Sequence, residues 1–213
     1  MSIKRRVWMK VKICGLKQLE DVRVVNKYHP DYVGFVFAGV KRRIDVKTAM
    51  MFKELLDPCI QAVGVFVNEP IETIRFLVSN HVIDLVQLHG DETDAMIQTI
   101  QSLGVPVIKA IRVQSKKDLE TINYPSANYL LYDRYEKDAY GGTGKPLDEE
   151  MIKYLSGDFF VAGGITIHNV EALLSTCNPY AVDLSSGVET DGSKDEEKIR
   201  VFIEYIRRRG EKQ

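Results

Sequence analysis

The chain has 213 residues, of which 45% are hydrophobic and 28% charged, enough apolar material for one sizeable core and enough charge to keep it soluble, a composition that argues against a disordered chain. Lys plus Arg number 29 against 30 Asp plus Glu, a formal net charge of -1, which excludes a protein built to live on nucleic-acid phosphates or an anionic membrane. The longest apolar stretches fall far short of the roughly 20 residues needed to span a bilayer, and the Val7-Trp8-Met9 cluster is too short for a signal-peptide core. The cytoplasm is therefore the default compartment, and three widely spaced cysteines, Cys14, Cys59 and Cys177, suit a reducing one.

Short runs rich in Val, Ile and Phe recur along the chain, each followed by a polar turn and a stretch of helical apolar spacing. In chain order the predicted strands are Val7–Cys14, Tyr32–Phe37, Ala62–Val67, Leu85–Leu88, Val107–Ile111, Tyr129–Tyr132, Phe159–Ala162 and Ala181–Leu184. Each is continuously apolar, as strands buried on both faces are. Between them, Lys17–Tyr28 sets Leu19, Val22 and Val25 on one helical stripe, and Pro70–Asn80 does the same with Ile71, Ile74 and Leu77. Alternation of this kind predicts parallel strands with right-handed crossovers. Eight such units close most economically into a single-domain (β/α)8 TIM barrel over residues 1–213, because closure leaves no edge; a doubly wound open sheet is the alternative. Only the tail Arg207–Gln213 reads as ready to fray.

In a parallel barrel chemistry belongs where strands end. That rule selects Cys14, Arg42 with Arg43, Asn68, His89 with Asp91, Arg112, Asp133, the Gly141–Lys145 loop, Gly163 with Gly164, and Asp183 to Gly187. Gly163-Gly164 after the seventh strand and Ser185-Ser186-Gly187 after the eighth are turns whose freed N–H groups suit a phosphate. Gly141-Gly142-Thr143-Gly144-Lys145 is not a nucleotide loop: Ala139 stands where the first glycine belongs and Pro146 follows the lysine. It reads as a loop able to close over substrate. Cys14 and Asp133 stand at the predicted mouth, where a thiolate can take a proton from carbon if the site lowers its pKa, and a carboxylic acid can protonate a sugar oxygen. Considered singly, Cys14 is equally a buried small hydrophobe and Asp133 a loop cap. His89 suits hydrogen bonding to substrate or support of its own loop. The four histidines show no ligand spacing, so no metal is expected.

Taken together, Val11-Lys12-Ile13-Cys14-Gly15, Gly34-Phe35-Val36-Phe37, Val63 to Asn68, Gln87-Leu88-His89-Gly90, Tyr140 to Lys145, Ala162-Gly163-Gly164 and Asp183 to Glu189 form an ordered set that resembles the phosphoribosylanthranilate isomerase family. The resemblance runs from Lys12 to about Ile206. It implies an Amadori rearrangement of phosphoribosylanthranilate in tryptophan biosynthesis, with no cofactor, Asp133 as general acid and Cys14 as general base. It further implies that Arg42, with Arg43 as fallback, holds the anthranilate carboxylate, that His89 and Asp183 contact substrate, and that Gly142, Gly163, Gly164, Ser185, Ser186 and Gly187 bind phosphate. The expected partner is that small molecule, with no nucleic acid or membrane, and the chain a monomer or homodimer. Two rivals remain: the histidine-pathway aminoaldose isomerase, which carries a second Asp in place of Cys14, and a phosphate-binding module without catalysis. The chain departs from the family pattern in Ala38 to Arg43, which lacks a Ser before the Arg pair, and after Lys145, where Pro146 to Glu149 replace an aromatic pair.

Overall fold

The structure, a computed structural model, describes residues 9–113, 115–120, 122–134, 155 and 157–211. Eight parallel strands close into one barrel: β1 Lys10–Cys14, β2 Tyr32–Val36, β3 Gln61–Phe66, β4 Leu85–Leu88, β5 Val107–Val113, β6 Tyr129–Arg134, β7 Phe159–Ala162 and β8 Ala181–Leu184. Each strand pairs with its sequence neighbours, and β1 pairs with β8 through Lys12 opposite Asp183, which completes the ring. The expected barrel is thus observed and the open sheet is not. Strand ends differ by a few residues from expectation. β5 and β6 run on through Arg112 and Asp133, which are register partners, because the ladder needs only backbone groups and tolerates polar side chains at an end that opens to water.

Helices pack outside the ring: α1 Leu19–Tyr28, α2 Val46–Leu55, α3 Ile71–Ser79, α4 Asp94–Gln101, α5 Lys116–Glu120, α6 Val170–Thr176 and α7 Glu196–Glu211. Their starts have local causes. The Asp21 carboxylate accepts from Lys17 N at 2.7 Å, so α1 begins two residues later than the apolar spacing suggested. Asp45 caps α2 by accepting from Thr48 N at 2.7 Å. Contrary to expectation, the tail is held as far as Glu211, where α7 ends: Arg207 donates to His29 O at 3.0 Å and Arg209 pairs with Glu171 at 2.8 Å, while Lys212 and Gln213 lie outside the described residues. Among the described residues no helix is long and apolar enough to cross a membrane.

Alternation along each strand divides the apolar residues into two sets. Val11, Ile13, Val33, Phe35, Val86 and Val107 face outward to meet Val25, Phe52, Ile74 and Ile97 of the helices. Val63, Val65, Leu85, Ile108, Leu131 and Phe160 face inward. At the end where the strands begin, aromatic rings seal the interior. Phe160 lies 5.5 Å from the rings of both Tyr32 and Tyr129, Tyr129 stacks on Tyr180 at 5.1 Å, and the hydroxyls of Tyr32 and Tyr180 are 3.0 Å apart. Burial holds the Tyr129 phenol protonated, pushed up to about 12. Replacing Phe160 by Ala is expected to lower the unfolding free energy by about 3–5 kcal/mol, read from the denaturant midpoint. A loss below about 1 kcal/mol would show that the aromatic seal is not a packed layer.

Candidate active site

At the opposite end the inward positions turn polar. Cys14 closes β1 opposite Gly34 of β2, and a side chain at Gly34 would place its Cβ 2.6 Å from the Cys14 sulfur, so the glycine makes room for the thiol. Two residues back on the same face, Lys12 is wholly buried and donates to Asp183 Oδ2 at 2.8 Å. Burial opposes both charges, yet Asp183 and Cys14 keep the Lys12 ammonium protonated above its ordinary range, while burial outweighs Lys12 at Asp183 and raises that carboxyl. Asp183 Oδ1 has no hydrogen-bond partner among the described residues. Burial also pushes the Cys14 thiol up, against the pull of Lys12 and Lys194. The net direction is opposite to the lowering expected of a reactive thiol.

Across the mouth, Asp133 of β6 meets His89, which follows β4: His89 Nε2 lies 3.1 Å from Asp133 Oδ2. His89 Nδ1 in turn lies 3.1 Å from the amide nitrogen of Gln87. Arg112 donates to the His89 carbonyl at 3.3 Å, and Glu92 anchors the loop beyond it by accepting from Asn68 N at 2.8 Å and from the buried Lys109 ammonium at 2.9 Å. Asn68 and Asp91 serve that loop too, since Asp91 N donates to Asn68 Oδ1 at 2.8 Å. Asp183 senses the charge of Asp133, which His89 contacts, so one cluster joins the two sides.

Arg42 is half-buried beside Gly15, where a Cβ would come 2.4 Å from its Cδ, whereas Arg43 is exposed. Only Arg42 reaches inward. Its Nε and Nη2 grip Glu189 at 2.7 and 2.8 Å, and Lys194 donates to the same carboxylate at 2.9 Å and to Ser185 O at 3.1 Å. Burial pushes the Glu189 carboxyl up, but the hydrogen bonds from Arg42 and Lys194 outweigh it and hold it at about 2. One carboxylate between two cations leaves the cluster with a formal surplus of one positive charge, suited to one more anion.

The two glycine-bearing turns meet. Gly163 and Gly164 take φ of 98° and 62°, and a Cβ on Gly187 would lie 1.8 Å from Ile165 O, so the loops after β7 and β8 touch through their backbones. Ser186–Val188 forms a single 3-10 turn, and Ser185 Oγ donates to Cys14 O at 3.2 Å, tying this turn to the end of β1. Gly142 and the rest of its loop lie outside the described residues.

Thus Cys14, Asp133, His89, Asp183, Arg42 and the two turns converge on one mouth, while Arg43 does not. Sequence reading missed Lys12, Gln87, Glu189 and Lys194. The first two had a signal: each stands two residues before a mouth residue in a strand, hence on the same face. Glu189 and Lys194 belong to a hairpin, β9 Glu189–Thr190 with β10 Ser193–Lys194, turned by Asp191-Gly192 at φ 51° and 78°, and that Asp-Gly pair was the overlooked mark.

Fold and mouth together define a parallel α/β-barrel enzyme whose thiol, carboxylates, cations and glycine-bearing turns gather where the strands end. The family model described as N-(5'phosphoribosyl)anthranilate (PRA) isomerase matches residues 11–205. An N-(5'-phosphoribosyl)anthranilate isomerase of Lachnoclostridium phytofermentans is 49% identical over 210 residues, covering 92% of this chain and 96% of the relative. The crystal structure of phosphoribosyl anthranilate isomerase from Thermotoga maritima superposes with a TM-score of 0.84 at 36% identity, covering 93% of this chain and 98% of that one. A crystal structure of a phosphoribosyl anthranilate isomerase in complex with reduced 1-(o-carboxyphenylamino)-1-deoxyribulose 5-phosphate gives a TM-score of 0.80 at 33% identity, with 93% of this chain and 98% of that one covered. The chain belongs to the N-(5'-phosphoribosyl)anthranilate isomerase family and is an isomerase.

Two measurements probe this geometry. Glu189 is held low in the folded state, so the stability it contributes is complete above about pH 4.5 and is lost as pH falls toward about 2; Glu189→Gln is expected to flatten the acid side of the stability profile there. An unchanged acid slope would show that the Arg42–Glu189–Lys194 contacts do not persist in solution. Gly187→Ala is expected to weaken inorganic phosphate binding by about tenfold or more through the clash with Ile165 O, measured by calorimetry, and unaltered affinity would separate this turn from the anion site.

Proposed function

We propose that the protein catalyses the Amadori rearrangement of N-(5'-phosphoribosyl)anthranilate to 1-(2-carboxyphenylamino)-1-deoxyribulose 5-phosphate, a step of tryptophan biosynthesis, with Asp133 as general acid and Cys14 as general base. The observation that carries the assignment of roles is that these two groups project into one mouth from β1 and β6, linked electrostatically through Asp183. The ligand of the solved relative is a reduced form of the corresponding product, which supports the substrate.

Protonated Asp133 gives its proton to the furanose ring oxygen. The C1–O bond breaks, and the nitrogen lone pair of the anthranilate forms the C1=N bond of a protonated Schiff base. The Cys14 thiolate then removes the C2 proton, and that electron pair becomes the C1=C2 bond while the C1=N electrons return to nitrogen. The resulting enolamine takes a proton at C1 and loses the one on the C2 hydroxyl, giving the ketone. A thiol held above its ordinary value is seldom ionised but is the stronger base once it is, and the Lys12 and Lys194 ammonium groups limit the cost of forming it.

The remaining groups hold the substrate at its two ends. The grip on Glu189 uses Nε and Nη2 of Arg42 and leaves Nη1 for the anthranilate carboxylate. Gly163, Gly164, Ser185, Ser186 and Gly187 receive the phosphate, together with Gly142. Asp183 Oδ1, without a partner among the described residues, accepts from a ribose hydroxyl, while His89 borders the ribose with both ring nitrogens engaged by Gln87 and Asp133.

The test is the fluorescence decay of freshly generated phosphoribosylanthranilate. The native chain is expected to accelerate the loss, and Cys14→Ala or Asp133→Asn to lower kcat by roughly 100-fold or more with the fold intact. Near-normal turnover in either variant removes that residue from its role. A folded native chain with no acceleration over buffer defeats the substrate assignment.

A further inference from the structure

Gln87 and His89 stand two residues apart, one in β4 and one just beyond it, so both side chains point to the barrel interior. Gln87 is 1% exposed, and its amide nitrogen is the group 3.1 Å from His89 Nδ1. The amide nitrogen so placed donates, which leaves Nδ1 to accept without a proton and Gln87 Oε1 buried with no partner among the described residues. The single proton of a neutral ring then sits on Nε2, 3.1 Å from Asp133 Oδ2, and is donated to it. The other neutral tautomer would turn its Nδ1–H toward the Gln87 donor. A cationic ring would do the same.

The charged groups around His89 come from four directions. Asp133 approaches from β6, and Asp183 from β8 with its charge shared by Lys12. Arg112 of β5 donates to the histidine carbonyl, and in the following loop Asp91 stands beside Glu92, which Lys109 neutralises. Two acidic groups therefore favour a cationic ring. Gln87 is the contact that opposes it.

We propose that Gln87 is a positioning residue for the isomerisation: its amide N–H holds His89 as the neutral Nε2–H tautomer, so that Asp133 is oriented by a neutral donor and not by a cation. The inference rests on the role of Asp133 as general acid proposed above. An imidazolium in direct contact would stabilise the Asp133 carboxylate and withhold the proton that ring opening requires. A neutral donor fixes the direction of the carboxyl group without that penalty.

The experiment uses the full chain and its Gln87→Glu variant, with ring nitrogen NMR of His89 beside the pH profile of kcat/KM. In the native protein at neutral pH, one protonated nitrogen, Nε2, is expected. A glutamate carboxylate accepts from Nδ1–H, so in Gln87→Glu both ring nitrogens are expected to be protonated. The falling limb of the profile then moves to lower pH, and kcat/KM at neutral pH drops by roughly 10- to 100-fold. Gln87→Met keeps the volume without donor or charge, and it serves if the glutamate variant does not fold. It is expected to show an Nδ1–H population absent from the native spectrum. A native ring that is cationic or carries its proton on Nδ1 overturns the proposal, as does a glutamate variant whose profile superimposes on the native one. The NMR reading needs no turnover, so loss of the substrate assignment and loss of the tautomer assignment are separate outcomes.

Discussion

A wholly buried ammonium between two acids organises the mouth of this barrel. Lys12 and Asp183 are register partners on the two strands that close the ring, and their 2.8 Å ion pair spans that seam. Removing either partner would leave an unpaired charge inside the protein, the costly case for buried ion pairs. The same ammonium faces Cys14, and the same carboxylate senses Asp133. Closure of the sheet and the electrostatics of the site are thus one constraint. A barrel that failed to bring β1 to β8 would lose the Lys12–Asp183 pair along with its edge pairing.

The barrel was legible because its strands are short, apolar and buried on both faces, and because each is followed by a helix-forming stretch. Strand ends were less so. Arg112 and Asp133 extend β5 and β6 beyond the apolar runs, since hydrogen bonding along the ladder is indifferent to the side chain. The candidate residues at strand ends were recognisable from position, and their convergence follows from the fold. Their protonation was not readable. Burial raises the Cys14 thiol against two nearby cations, a balance set by depth and distance rather than by neighbouring letters. The tail was misread because its arginines look solvated in sequence, whereas Arg207 and Arg209 reach a carbonyl and a carboxylate on other elements.

The hairpin after β8 shows how a minor element shapes a site. Its two strands are only two residues each, yet they carry Glu189 and Lys194, which grip Arg42 from the loop after β2 and the Ser185 carbonyl from the loop after β8. The group suited to a carboxylate and the turn suited to a phosphate therefore share one hydrogen-bonded network. Displacement at one end is felt at the other.

The aromatic seal formed by Tyr32, Tyr129, Phe160 and Tyr180 has a kinetic corollary. Among the described residues, with its interior packed and one end stopped by stacked rings, the barrel is a blind tube whose polar groups are reached from a single side. Reactant and product must use the same doorway, in turn. Departure of one is a precondition for arrival of the next, so accumulated product competes directly with fresh substrate, and throughput depends on how quickly the spent molecule clears the entrance.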